Sequence, residues 1–386
     1  GPARAADVDP ACRRRLEAMR GSLAAAAARC QAPGGEPWRL RHLLPRLAEL
    51  ARVLEGPVAA TPHGDVAGAS RRADATRLRE LSSRRILGPA DGGAELGPLA
   101  GGKAAHLGEI ARVLGQAAVP PWFAVARAAY QEVLAAPVPG SALDALKIER
   151  GERLESAIEW AVANPGWEAR RKAQAIRELW QAVPLPAGLA EEIAGACRAL
   201  AGGPGEEPAV AIRSSGGEED TEAASWAGQF DTFLFVRGRE AVLEHLKLAW
   251  AGFWTERAID QRRLLGAPPL PRGGGIVVQR MVDARASGVL HTVCAATGQL
   301  REMVINAGLG LGEGVVSGTV DVDHVLVSKD VDLLSGDLDL RYRIGDKREQ
   351  VACDRERGLG TRREETRYHQ RLRAALEYVE IQELVR

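Results

Sequence analysis

Residues 209–233 read AVAIRSSGGEEDTEAASWAGQFDTF. Val210 and Ile212 alternate with Ala211 and carry Arg213 to the end of a short strand pattern. Ser214, Ser215, Gly216 and Gly217 follow at once, then an acidic run, Glu218-Glu219-Asp220. Small hydroxyl and glycine residues after a strand let backbone N–H groups converge on an anion. An adjacent Arg adds charge-assisted bonds to phosphate. Gly228 and Thr232 supply a second small-residue turn that can close over a nucleotide. The residues alone leave two readings open, a phosphate-binding loop or a surface hairpin with an incidental Arg, because a lone Gly-rich loop is a weak signal.

A second stretch bears on that choice. Residues 97–134 read GPLAGGKAAHLGEIARVLGQAAVPPWFAVARAAYQEVL. Gly101-Gly102 opens a turn, and Lys103 begins a helix expected to run to about Val113. A cation at a helix N-terminus opposes the macrodipole unless an anion joins it, so phosphate is the natural third party. The competing reading is a Gly-capped helix with a solvated Lys. Pro120-Pro121 and a short strand, WFAVA, come next.

Around these stretches the chain is mostly ordinary. Its 386 residues allow two or three domains with a sizeable core. Lys+Arg 51 balances Asp+Glu 51, so no basic excess points to nucleic acid. No apolar run reaches the roughly 20 residues of a membrane span. The five cysteines are scattered without a CxxC pair, which fits a reducing cytoplasm and no zinc site. An Arg-rich, Ala-rich composition suggests a GC-rich bacterial genome.

Residues 9–55 carry apolar positions at helical spacing, interrupted at Pro45, and read as an N-terminal helical extension that docks without entering a site. Residues 56–75 form a linker, with His63 as a solvated loop residue. Residues 141–200 read as about three helices, with Trp160, Trp167 and Trp180 in the core. A long amphipathic helical region follows Phe235. GGIVV then forms a buried strand leading into Gln279-Arg280-Met281-Val282, whose backbone and thioether suit the edge and face of a purine. SGVLHTV, EMVINA and DVDHVLVSKD are further strands; residues 308–318 are a glycine-rich turn and 333–348 a β-extension. The last segment is helical at its end.

In order, GGKAAHLGEI…VPPWF, AIRSSGGEEDTEAASWAGQFDTFL, VVQRMV, SGVLHTVCAATG and GLGLGEGVVSG resemble the nucleotide-binding half of phosphoenolpyruvate synthase and pyruvate phosphate dikinase. Rifampin phosphotransferase and glucan water dikinase share that module. The resemblance spans about residues 97–386. It implies an α+β fold of ATP-grasp type with two subdomains, here divided as 97–208 and 209–386 after an extension at 1–96. It also implies ATP and Mg²⁺ as ligands, with cleavage to AMP and transfer of the β-phosphoryl to a histidine on a separate swivelling domain. By resemblance, Lys103 and Arg213 hold phosphates, Gly228 and Thr232 lie in the loop over them, and Gln279 and Met281 line the adenine pocket.

The departures are specific. Trp122 stands where glycine is common, and His291 and Cys294 stand in an altered FT-x-NP-x-TG segment; both are expected to adjust packing. The family's metal-binding carboxylate and Gln-x-Arg pair have no counterpart here, so Glu380 and Glu383 receive no metal role and the metal ligands stay unknown. The swivelling-domain histidine motif and an acceptor-binding domain have no counterpart either, which reads as a fragment or split subunit that turns over poorly alone. A degenerate nucleotide-binding module that docks a partner without catalysis is the competing function.

Overall fold

Alternation of apolar residues places two different environments on the two faces of one sheet, and that sheet organises the first half of the molecule. The computed structural model describes residues 76–149, 151–203, 205–215, 231–271, 274–294, 298, 300–329 and 338–385. The N-terminal helices expected at 9–55, the 56–75 linker, His63, the 216–220 run and Gly228 lie outside the described residues. The described residues belong to one compact unit, 76–386.

After a short helix at 76–82, the first sheet is built from β1 (Ile86–Leu87), β2 (Trp122–Val125), β3 (Val210–Ser215), β4 (Thr232–Val236) and β5 (Gly275–Arg280). Its spatial order is β1-β2-β5-β3-β4, antiparallel throughout. Strands from both sides of residue 209 therefore complete this sheet, and the change to the second sheet falls after β5. Between β1 and β2 runs α1 (Gly97–Leu114). Helices α2 (Arg127–Leu134), α3 (Gly140–Leu146), α4 (Leu154–Ala163), α5 (Ala169–Ala182) and α6 (Ala187–Ala199) precede β3. The long helical region expected after Phe235 is divided: α7 (Arg239–Ala251), a single tight turn, and α8 (Glu256–Leu265).

Phe123, Val125, Val210, Ile212, Ile276 and Val278 bury one face of this sheet against the helical layer. That layer holds an aromatic centre of Tyr130, Trp180, Trp250, Phe253 and Trp254, all at most 2% exposed. Tyr130 stacks on Trp180 with centroids 6.0 Å apart, and Trp180 lies 5.3 Å from Trp250. Each such pair adds about 0.5–1.5 kcal/mol beyond burial. Trp250 Nε1 donates to the Gly274 carbonyl at 2.7 Å, which anchors the lead into β5. A side chain at Gly274 would meet the Tyr130 ring at 2.2 Å, so only glycine lets the strand start there. The expected core role of the tryptophans holds: Trp180 is central, while Trp160 and Trp167 meet edge-to-face at 5.3 Å on its margin.

The other face receives α1. Its Ala100, Ala104 and Ala111 pack on Trp122, Ala124 and Val277. Small side chains on one stripe let the helix approach the strands closely. Trp122 is 4% exposed within this cluster, in line with a packing role at that position.

The second sheet comprises β6 (Ala286–His291), β7 (Glu302–Leu309), β8 (Asp323–Ser328) and β9 (Leu340–Arg343) in that order, with α9 (Gly312–Ser317) between β7 and β8. The expected turn at 308–318 thus contains a helical turn and a half, because β7 continues to Leu309 before Gly310 redirects the chain at φ 75°. A hairpin of β10 (Glu349–Cys353) and β11 (Thr361–Glu365) follows, then α10 (Tyr368–Arg371) and α11 (Tyr378–Val385). The described part of the expected 333–348 extension consists of β9 and a loop toward β10. Ile381 and Val385 of α11 close over Met303, Ile305, Val325 and Val327.

The first sheet meets the β10–β11 hairpin and the residues flanking α9 through Phe235. It sits at φ 53°, at an irregularity in the β3–β4 register, and so leaves the face that strand alternation would assign it. It packs instead with Leu311, Val320, Val351 and Cys353. Mixed helix and sheet make the fold α+β, as expected.

Candidate functional site

The strand pairing decides which sequence-selected residues meet. Arg213 of β3 lies opposite Val277 of β5 and Thr232 of β4, while Ala211 lies opposite Gln279. Directly opposed residues share a face, and positions two apart stay on it. Arg213, Thr232 and Gln279 therefore occupy the face that α1 covers, on three adjacent strands. Thr232 is exposed; Arg213 and Gln279 are half-buried.

Lys103 belongs to α1, the helix that packs on this face. The helix begins at Gly97, six residues before Lys103, which corrects the expected start at Lys103. A local helix start nevertheless exists, because Gly101 is non-helical at φ 84°, ψ 172° and breaks the run just before Lys103. The cause is contact with the strands. A Cβ on Gly101 would fall 1.6 Å from the Ser215 carbonyl oxygen, and one on Gly275 would fall 2.2 Å from the Ala100 carbonyl. Ser215 Oγ accepts a hydrogen bond from the Ala104 N–H at 3.2 Å, serving one of the amides released by the break. Thus the restart of α1 at Gly102-Lys103 is pinned to the end of β3, two residues beyond Arg213.

At the opposite end of β5 the Gln279 carboxamide donates to the Pro120 carbonyl at 3.3 Å, and the Arg280 N–H donates to the Pro121 carbonyl at 2.9 Å. The Met281 N–H donates to the Ala209 carbonyl at 2.9 Å. The half-buried Met281 side chain rests against the Phe235 cluster between the sheets. Gln279 and Met281 thus lie at the crossing from the first sheet to the second. A polar cavity of about 520 Å³ follows immediately, bordered by Asp283, Arg285, Leu311, Val351 and Arg362. Ser287 Oγ and Arg362 Nε are buried without hydrogen-bond partners in this region.

Residues that sequence reasoning missed are chiefly those holding this arrangement. Ser215 and Gly275 fix α1, and their part depends on pairing between distant segments. Arg285 donates to both carboxylate oxygens of Glu380 at 2.6 and 2.7 Å and to the Ala375 carbonyl at 3.0 Å. That bond holds the Glu380 carboxyl below its ordinary range. Glu380 is accordingly a clamp for α11. Cys294 is buried and His291 exposed, so only the cysteine has the packing role expected for that segment.

Among the described residues no group of three or more His, Cys, Asp or Glu side chains is gathered as for a metal ion. No helix among them is long and apolar enough to cross a membrane.

Against known families, residues 97–386 match the family described as pyruvate phosphate dikinase, AMP/ATP-binding domain. A rifampicin phosphotransferase from Streptomyces sp is 41% identical over 228 residues, 59% of this chain and 24% of that protein. A phosphoenolpyruvate synthase from Aeropyrum pernix is 38% identical over 243 residues, 62% of this chain and 28% of that protein. The prodigiosin synthesizing transferase PigC from Serratia marcescens is 34% identical over 229 residues, 59% and 22% respectively. The aligned part of this chain thus spans about a quarter of the length of these relatives.

Proposed function

Because this chain belongs to the pyruvate phosphate dikinase AMP/ATP-binding domain family, we propose that it binds ATP on the α1 face of its first sheet, in an ATP-grasp arrangement. The observation that carries the reading is the pinned restart of α1. Gly101 breaks the helix against Ser215, and this brings the Lys103 turn beside the end of β3; Arg213, expected at that end, lies two residues inside the strand. Two cations and a helix start on one face form a donor set suited to a polyphosphate, where charge-assisted bonds are strongest. Lys103 and Arg213 hold the phosphates, and Gly228 helps to cover them; Thr232, expected in that covering loop, instead lies on β4 opposite Arg213 and flanks the phosphates from there. Gln279 and Met281 line the adenine pocket at the crossing between the sheets.

In the whole protein this module cleaves ATP to AMP and passes the β-phosphoryl to a histidine on a separate swivelling domain. Phosphoryl transfer depends on positioning and on cationic charge spread over the phosphates, which is the part these residues play. The described residues form no acidic cluster for Mg²⁺. The ion would enter with the nucleotide phosphates, and no step here is assigned to it.

Calorimetry with ATP tests the reading. Lys103→Ala and Arg213→Ala should each weaken ATP by about 1.5–3 kcal/mol, roughly tenfold to a hundredfold. Adenosine affinity should barely change. Unchanged ATP affinity in both variants would remove the phosphate assignment.

A further inference from the structure

The opposite face of the first sheet carries a cavity of about 480 Å³. Its walls are Ile193, Ala194 and Cys197 of α6 and Val242 of α7, its floor is Val210 at the start of β3, and residues 205–208 roof it. The volume falls within the roughly 300–1,000 Å³ typical of small-molecule sites. Apolar walls leave enclosed water with few partners, so a water-filled cavity gains by exchanging that water for an apolar molecule. Burial pushes the Cys197 thiol up to about 12, so this wall stays uncharged at neutral pH.

Charged groups stand only at the rim, and they balance. Glu206 accepts from Arg280 Nη2 at 3.1 Å and from the Gly202 N–H at 2.8 Å. Arg239 pairs with Glu191 at 2.5 Å. Arg198 and Glu207 add one charge of each sign. Such a rim selects for neither anions nor cations.

The roof is tied to the crossing strand at two points. Arg280 reaches Glu206, and the Ala209 carbonyl accepts from the Met281 N–H. Arg280 lies opposite Val210 while Gln279 lies opposite Ala211, so successive residues of β5 face the two sides of the sheet. Gly202 lies against the first tie, since a Cβ there would stand 2.7 Å from Arg280 Nη1 and 2.9 Å from Glu206 Oε2. The Ala209–Met281 bond joins the end of the roof to the strand that carries Gln279 backbone to backbone, and the Glu206–Arg280 pair adds a side-chain link.

We propose that this cavity is a second binding site, for an uncharged, ring-sized apolar molecule, and that its occupancy is relayed through the Glu206–Arg280 and Ala209–Met281 ties to the nucleotide face. The relay rests on the ATP reading above; the binding does not.

Indole is the probe, used with the full chain. Calorimetry should give saturable binding with a Kd below about 1 mM. Bound indole should slow alkylation of Cys197 by N-ethylmaleimide severalfold, followed by peptide mass mapping. Cys197→Phe fills the cavity and should abolish binding; Ala194→Leu is the milder variant should the first fail to fold. Indole at saturation should change the Kd for ATP by about threefold or more, and Glu206→Gln should remove that change while sparing ATP binding itself. No saturable signal, or indole binding indifferent to both filling variants, would overturn the site. An ATP affinity unmoved by bound indole would overturn the relay alone. Failure of the chain to bind ATP at all would remove the ATP reading and the relay with it, and leave the indole measurements to decide the cavity.

Discussion

Replacing Gly101 by alanine should separate the structural reading of α1 from a simple helix-propensity argument. The new Cβ would lie 1.6 Å from the Ser215 carbonyl oxygen, 2.3 Å from its carbonyl carbon and 2.6 Å from its Oγ. Real Cβ contacts essentially never fall below 3.0 Å, so helix and strand must separate by about 1.4 Å. Neither side yields easily. Ser215 is paired with Gly275, and Gly275 in turn lies against the Ala100 carbonyl. Overpacking of this kind costs about 1–3 kcal/mol. The backbone at φ 84°, ψ 172° is a region almost confined to glycine, adding about 1–3 kcal/mol for any side chain. The expected loss is thus about 2–6 kcal/mol by urea unfolding, followed through the buried tryptophans. Gly97→Ala is the control on the same helix. A Cβ at Gly97 would have no atom within 4 Å, but Pro98 disfavours helical backbone at a preceding residue with a Cβ, so this strain offsets the propensity gain of about 1 kcal/mol and the change should be close to neutral. A retreat of 1.4 Å also exceeds the tolerance of a hydrogen bond, so folded Gly101→Ala should bind ATP about tenfold or more weakly. If Gly101→Ala stays within about 0.5 kcal/mol of wild type, or tracks Gly97→Ala, the pinned helix start is wrong.

Other expectations follow from separate regions. Lys347 is fully buried and donates to Asp323 at 2.5 Å, while Asp323 also accepts from the Gly345 and Ala375 N–H groups. Lys347→Met leaves that carboxylate buried without its cation and should cost about 3–5 kcal/mol by urea unfolding; a loss under about 1 kcal/mol would contradict it. Burial raises the Cys197 thiol from an ordinary 9.0 to about 12, so the unfolded chain releases this proton first as pH rises. Its stabilising contribution is complete below about pH 9 and is lost toward pH 12, at up to roughly 1.4 kcal/mol per pH unit. Cys197→Ala should flatten that slope, and an identical pH profile would refute the cause. Gln279→Ala should weaken ATP more than inorganic triphosphate, as calorimetry can show, whereas equal losses would place Gln279 at the phosphates.

Local patterns carried much of this protein in its sequence. Alternation marked β3, a run of β-branched residues marked β5, Gly101-Gly102 marked the break before Lys103, and aromatic residues on apolar helix faces marked the core; Ser214 and Ser215, read as the start of a turn, instead continue β3. These signals are legible because each depends on neighbours a few residues apart, where backbone geometry repeats every two or 3.6 residues. Ordered motifs added the family, since five weak signals in register constrain one another. Relations between distant segments were not legible. That Arg213, Thr232 and Gln279 share a face follows from the order β2-β5-β3-β4, which no single strand encodes. The same holds for Gly101 against Ser215, for Phe235 turned toward the β10–β11 hairpin, and for Glu206 joined to Arg280. Each depends on close approach of chain segments far apart in sequence, and steric fit at that approach exists only once the sheet has formed.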